Sequence, residues 1–474
     1  MKILNKRRTL LLAVLLAGIV LRVLLIHFPR PGDDDTAVYA ELGHNLLHHG
    51  VYGIADDDGI SPSLFRLPGY PIFLALMQEI FGRAWYAAVL YFQAAVDLCG
   101  CVLLAAFARK WISQRGRDIT FVIAVLCPFT AAYSAIALTE CFSIFAVALA
   151  IYASGAVFFA LNSGGTVPLR KLLLLASAPA MAMLLRPDGA LLLLSVIGGL
   201  LWYGRGRGKS FQTAALCGLL AIVPLIPWTV RNWQVFHVVQ PLAPRHVNDP
   251  GERVTLGFYR WMRTWSAEYV NTANVYWQVG SGKISMGSLP ARAFDSPVQR
   301  ARTAELLAEY NQTNNIPPEL DENFAALAAE RIHAHPLRYY LVMPLRRTAD
   351  MMLRPRTEAF YLKAEWWKFD AHPADSAISI ALGLLNLTYV VLALVGLFSR
   401  DRRVPAAMMM VVYLVLRCLL LGGMENAEPR YTLECYPIFM VAAAAAVSGR
   451  QRAGRQRDAA AASPVAAGET QRAF

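Results

Sequence analysis

Charge is scarce in this 474-residue chain: Asp, Glu, Lys and Arg make up 16% of it, against 56% hydrophobic residues. That scarcity excludes a solvated, disordered polypeptide and leaves more apolar surface than a soluble fold needs. Cysteine is sparse as well. Cys99, Cys101, Cys127, Cys141, Cys217, Cys418 and Cys435 all fall in apolar runs and form no Cys-x-x-Cys pair or metal-ligand spacing, so they read as packing residues. No internal repeat is visible, which argues against the paired halves of many transporters. Gly208-Lys209-Ser210 lacks the first glycine of a phosphate-binding loop, because position 203 is Tyr203. His44, His48 and His49, and His333 and His335, have no companion carboxylate at ligand spacing, and no metal site is expected from them.

What the chain does have is apolar blocks of about 20 residues, the length that matches a bilayer's hydrocarbon core. They fall at 10-28, 85-107, 119-136, 138-160, 171-186, 188-203, 211-230, 376-398, 405-421 and 432-448. The expected fold is therefore an all-α polytopic membrane protein with roughly ten spans. Lys2, Lys6, Arg7 and Arg8 precede the run Leu10 to Phe28, which has no small-x-small site near its end and reads as an uncleaved anchor.

The net charge of +12 resides largely in short segments between the blocks, without the aromatic interleaving of a nucleic-acid groove, and reads as topology. Arg109, Lys110, Arg115, Arg117, Arg170, Lys171, Arg205, Arg207, Lys209, Arg400, Arg402 and Arg403 fall on one side together with both termini, so that side is cytoplasmic. The exterior receives residues 29-84, 231-375 and the turn 422-431. Four regions follow: a membrane module at 1-230 carrying the first exterior loop, an exterior segment at 231-375, membrane helices at 376-448, and a disordered cytoplasmic tail at 449-474. Short surface helices are expected from Thr36 to Gly50, Pro71 to Phe81, Glu305 to Tyr310, Asn323 to His335 and Leu337 to Arg354.

The first exterior loop opens with Asp33-Asp34-Asp35, three adjacent like charges at headgroup level, readable as chemistry or as a solvated loop with an N-cap. Arg66, Arg186, Arg231 and Arg430 lie near the exterior ends of spans, where guanidinium groups grip lipid phosphates or snorkel to the interface. Glu140 opens a helix at the same face, Glu428 lies in a short exterior turn, and Glu425 reads as a solvated neighbour. Arg22, Asp97 and Arg417 sit inside spans, where each must face protein or water. Trp228, Trp233, Trp261, Trp265, Trp277, Trp366 and Trp367 cluster towards the exterior and read as interface anchors.

Several of these residues form an ordered series: Asp35-x-x-x-Tyr39, then Ala40-Glu41-Leu42-Gly43-His44-Asn45-Leu46-Leu47-x-x-Gly50-x-Tyr52, then Phe65-Arg66-Leu67-Pro68-Gly69-Tyr70-Pro71. Thr139-Glu140, Leu185-Arg186-Pro187-Asp188-Gly189, Pro227-Trp228-x-x-Arg231-Asn232, His335-Pro336 and Glu428-Pro429-Arg430-Tyr431 follow. The series resembles the glycosyltransferase C superfamily, with protein mannosyltransferase-like and aminoarabinose transferase-like families as the nearest members.

The resemblance implies an inverting glycosyltransferase in a bacterial inner membrane, taking its sugar from a polyprenyl-phosphate carrier and passing it to a lipid, glycan or protein acceptor. It implies an acid-base role for Asp35. The family often has Asp-Glu where this chain has Asp35-Thr36, so Asp34 shares the assignment. Substrate-binding roles are implied for Arg66, Tyr70, Glu140, Arg186, Arg231, Glu428, Arg430 and Tyr431. No cofactor is implied with certainty, and a divalent cation stays open. The competing expectations are a transporter or lipid flippase, and a polysaccharide polymerase that draws on lipid-linked oligosaccharide.

Overall fold

The computed structural model describes residues 2–28, 34–204, 209–398 and 406–448. The expected tail at 449-474, Asp33, and Arg205, Arg207, Arg400, Arg402 and Arg403, on which the expected orientation partly rests, lie outside the described residues, as does the side chain of Asp34.

The fold is all-α, and each of the ten expected apolar segments coincides with a helix or a broken helix. In chain order the helices are α1 (Lys2–His27), α2 (Asp34–His49), α3 (Gly69–Phe81), α4 (Trp85–Trp111), α5 (Gln114–Val125), α6 (Pro128–Ser134), α7 (Glu140–Asn162), α8 (Leu169–Leu185) and α9 (Ala190–Tyr203). Then come α10 (Lys209–Ile222), α11 (Ile226–Phe236), α12 (Leu256–Arg263), α13 (Tyr269–Asn274), α14 (Pro297–Thr313), α15 (Pro318–Ala334), α16 (Met343–Leu353), α17 (Pro373–Phe398), α18 (Ala407–Gly422) and α19 (Tyr436–Val447). Five segments are long and apolar enough to cross a membrane, or six if the bent pair α5 and α6 counts as one. The chain is a multi-pass membrane protein. Leu10, Leu16 and Leu24 of α1 and Ile378, Leu384 and Leu394 of α17 face outward, as lipid contact requires.

The bend between α5 and α6 is 51°, and its cause is local. Pro128 has no backbone N–H to donate, and Cys127 before it is extended. One freed carbonyl is recovered across the fold: Arg22 Nη1 donates to Val125 O at 2.9 Å and to Gly18 O at 2.8 Å. The same guanidinium pairs with Asp97 of α4, both side chains being almost fully buried. The intramembrane charges therefore stitch α1, α4 and the broken helix together, and Arg22 does not reach the interface.

Two features differ from expectation. Residues 53–62 form a two-stranded antiparallel hairpin, β1 (Gly53–Asp56) and β2 (Gly59–Pro62), with Gly53 opposite Pro62. Asp58 N donates to Asp56 Oδ1 at 3.0 Å and Gly59 takes φ +133, a turn that tightens Asp57-Asp58 into a hairpin. Helices α14 and α15 are also longer than their apolar faces indicated. Ser296 caps α14 by accepting from Gln299 N at 3.1 Å, and a proline at N1 or N2 starts each helix. These helices pack with α12 around Trp261, Trp265, Phe258, Phe324 and Leu320 in an apolar cluster apart from the membrane core. Trp261 and Trp265 are thus core residues and Trp228 is buried, whereas Trp233, Trp277 and Trp367 are exposed as anchors would be.

Candidate active site

α2 stops where Gly50 takes φ +69. It crosses α3 closely: a Cβ on Gly43 would stand 2.7 Å from Pro71 O, so only glycine permits the approach. That crossing sets Asp35, at the start of α2, beside Arg66, which precedes α3. Arg66 Nη2 donates to Asp35 Oδ1 at 2.5 Å, and Arg430 Nη2 donates to Asp35 Oδ2 at 3.0 Å. Residues almost 400 apart in sequence thus hold one carboxylate between two guanidiniums.

These side chains line a cavity of about 570 Å³. Its inner wall carries Asp35, Tyr39, Arg66, Glu140, Arg186 and Tyr431. Arg186, at the end of α8, donates to Glu140 Oε1 at 3.0 Å and Asp188 Oδ1 at 3.1 Å, and lies 3.7 Å from Glu434. Arg417 of α18 backs the same carboxylates, reaching Asp188 Oδ2 and Glu434 Oε2 at 2.5 Å each. Tyr431 joins the two groups, since its ring lies 5.2 Å from the Arg186 guanidinium and 5.5 Å from that of Arg430. Its hydroxyl donates to Glu428 Oε1 at 3.1 Å, and Glu428 Oε2 stands 2.5 Å from Arg430 Nε.

Electrostatics follow from these pairs. Burial pushes the Asp35 carboxyl up, but Arg430 and then Arg66 pull it down further, so it stands below its ordinary value of 3.8. Glu140 Oε2 is buried and accepts no hydrogen bond among the described residues, while Oε1 is held by Arg186. Among the described residues no three His, Cys, Asp or Glu side chains converge as a metal site. The inner carboxylates are instead paired with guanidinium groups.

Of the sequence candidates, Asp35, Arg66, Glu140, Arg186, Arg430 and Tyr431 meet at this cavity, and Glu428 supports Arg430 from behind. Two do not. Tyr70 is fully buried and donates to Gln93 Oε1 at 2.8 Å, because the close entry at Gly69 turns its ring inward against Tyr39. Arg231 donates to Ser63 O and Tyr52 O at 2.7 Å each and stacks on Trp228, so it anchors the hairpin loop to α11. Glu425 corrects the reading of a solvated residue: it is buried, lines the outer end of the cavity and pairs with Arg245 at 2.9 Å. Asp188, Arg417 and Glu434 complete the network. Asp188 appeared only within a motif, Arg417 only as an intramembrane charge, and no local pattern marks Glu434.

No protein-family model matches the sequence, and no curated protein matches it. Among solved structures the chain is similar to the archaeal oligosaccharyltransferase AglB from Archaeoglobus fulgidus, in complex with an inhibitory peptide and a dolichol-phosphate. Identity is 12%, coverage is 93% of this chain and 50% of that one, and the TM-score is 0.49. It is also similar to ArnT from Cupriavidus metallidurans bound to undecaprenyl phosphate, at 13% identity, 88% and 77% coverage and a TM-score of 0.40. The chain spans half the length of the oligosaccharyltransferase. Both are similarities of chain path between distant sequences, and the functional reading stands on the cavity.

Proposed function

We propose that this protein is an inverting glycosyltransferase that moves a hexosyl or pentosyl group from a polyprenyl-phosphate carrier to an envelope acceptor at the outer face of a bacterial inner membrane. The observation that carries the reading is the placement of one carboxylate, Asp35, between Arg66 and Arg430 on the wall of a cavity large enough for a sugar. Both halves of the reaction have a group there. The acceptor's O–H bond breaks and its proton passes to Asp35, while the oxygen bonds to the anomeric carbon from the face opposite the phosphate. The bond from that carbon to the phosphate oxygen breaks, and the electron pair leaves on the lipid phosphate, where guanidinium groups stabilise the growing charge.

Pairing with Arg66 and Arg430 accounts for how the base is controlled. With two guanidiniums on it, Asp35 is a weak proton acceptor. A donor phosphate competes for Arg66 and Arg430, and as they turn to it the carboxylate loses the charges that depress it. Basicity is thereby raised when the donor is in place. The Tyr39 and Tyr431 rings on the same wall supply the apolar faces a sugar packs against.

Comparative mass spectrometry of envelope lipids and glycans from cells with and without the gene product tests the proposal and names both substrates. One sugar is expected to disappear from one acceptor. An unchanged envelope, together with counter-flow of an unmodified lipid in proteoliposomes, would establish a transporter instead.

A further inference from the structure

The cavity has a second end. Beyond Tyr431 its wall is made by Arg245, Tyr276, Glu425 and Asn426, contributed by the segment after α11, the turn after α13 and the turn after α18. The two ends differ in charge. At the inner end, among the described residues, the guanidiniums of Arg66, Arg186, Arg417 and Arg430 face the carboxylates of Asp35, Glu140, Asp188, Glu428 and Glu434. Negative charge is in excess by one. Around the outer end stand Arg245, Arg263 and Arg347, with His246 stacked on Tyr259; among the described residues Glu425 is the carboxylate in an ion pair there, with Arg245 and His246.

Arg347 is the decisive member. It is almost fully buried, yet its guanidinium donates only to carbonyls: Ser266 O at 3.0 Å, Arg263 O at 2.7 Å, Gly422 O at 2.5 Å and Met424 O at 3.2 Å. It therefore holds the turn that carries Glu425 without a direct ion pair to any carboxylate among the described residues, an arrangement costly in a protein interior. Burial and then Arg263 pull its proton affinity down to about 10. The Nε of Arg263 is buried without a partner. Arg245 has a half-exposed side chain and uses Nη2 for both Gly423 O and Glu425 Oε2, which leaves Nε and Nη1 with no bond to the described residues.

We propose that the outer end is a second anion subsite, built for a phosphate group carried by one of the two substrates, with Arg245 as its direct ligand and Tyr276 beside it. An excess of positive charge behind a half-exposed guanidinium suits a phosphate. The inference deepens the proposed transfer reaction, since the phosphate's owner is the acceptor, or a diphosphate-linked donor whose second phosphate reaches this far.

The test uses the full chain in lipid nanodiscs, with calorimetric titration of inorganic phosphate at fixed ionic strength. Arg245→Gln should weaken phosphate binding about tenfold, the size of one charge-assisted hydrogen bond net of water, whereas the pair Arg66→Gln with Arg430→Gln should retain an outer-site isotherm. Polyprenyl monophosphate and diphosphate then separate the sources. A loss in Arg245→Gln confined to the diphosphate assigns the anion to the donor, and no loss with either lipid assigns it to the acceptor. Phosphate binding unchanged in Arg245→Gln, or abolished by the inner pair alone, would overturn the outer subsite. Polyprenyl monophosphate that binds the inner-pair variant as tightly as the natural protein would instead overturn the proposed transfer reaction.

Discussion

Two ion-pair clusters in this molecule use the same chemical groups for opposite ends. Arg22 and Asp97 lie inside the membrane bundle, shut away from solvent, with further donors spent on Gly18 O and Val125 O. Asp35, Arg66 and Arg430 lie on a cavity wall and keep about a fifth to a quarter of their side-chain surface exposed. The first pair has no room for a third party, so it fastens helices. The second is accessible, so an incoming phosphate can exchange for the carboxylate. Access, more than residue type, separates structural charge from chemical charge here.

The largest expected effect tests that separation directly. Asp35→Asn should lower sugar transfer by about 10²–10⁴-fold, the range associated with a positioned acid-base group, with a smaller fall in melting temperature than Asp97→Asn, since Asp35 is partly exposed and Arg430 keeps Glu428 as a partner. Asp97→Asn should do the reverse. It leaves the Arg22 guanidinium buried without its counterion and should cost about 3–5 kcal/mol, read as a lower melting temperature, with the rate per folded molecule retained. A fully active Asp35→Asn, or an Asp97→Asn that is inactive at full stability, breaks the comparison.

A smaller effect sharpens it. Arg430→Gln or Arg66→Gln should reduce transfer by about 10–100-fold through loss of a charge-assisted contact to phosphate, and should also move the pH profile. Removing either guanidinium removes a charge that lowers Asp35, so the carboxyl rises. The acid limb of kcat/KM therefore moves to higher pH, and further for Arg430→Gln, the stronger of the two influences. The same sign governs stability. A depressed carboxyl stabilises the fold above its unfolded value, and that contribution fades as pH falls through the lower folded one. A kcat/KM profile unmoved by both variants would detach Asp35 from proton transfer.

Much of this was legible in the sequence, for identifiable reasons. Apolar blocks of membrane length found the helices because bilayer thickness permits few alternatives. Asp35, Arg66 and Arg430 were legible through an ordered series of short motifs. Their convergence was not, since a contact across almost 400 residues is decided by helix packing. Glu425 was misread because a charged residue in a short turn has no local mark of burial, and its burial depends on Arg347 reaching the turn from α16. Arg231 was over-read because a guanidinium near a helix end looks alike whether it meets lipid phosphate or, as here, two loop carbonyls. The hairpin at 53–62 was missed because its strands are only four residues each.

Tyr70 offers the finest version of the comparison, because motif and geometry disagree about it. Its hydroxyl donates to Gln93 Oε1, and Gln93 Nε2 donates to Ile136 O at 2.7 Å and Ser134 O at 3.3 Å. Those carbonyls end the broken helix just before Leu138, Thr139 and Glu140 of the cavity wall. Tyr70→Phe keeps the ring and deletes one donor, leaving a buried amide oxygen unpaired, which should cost about 1–3 kcal/mol. The expected outcome is a lower melting temperature with KM for the donor unchanged, since Tyr70 is not on that wall. A donor KM raised about tenfold at unchanged stability, equivalent to about 1.4 kcal/mol of binding, would mean that the hydroxyl turns to the substrate when the site fills, and the motif's assignment would then prevail over the unliganded geometry.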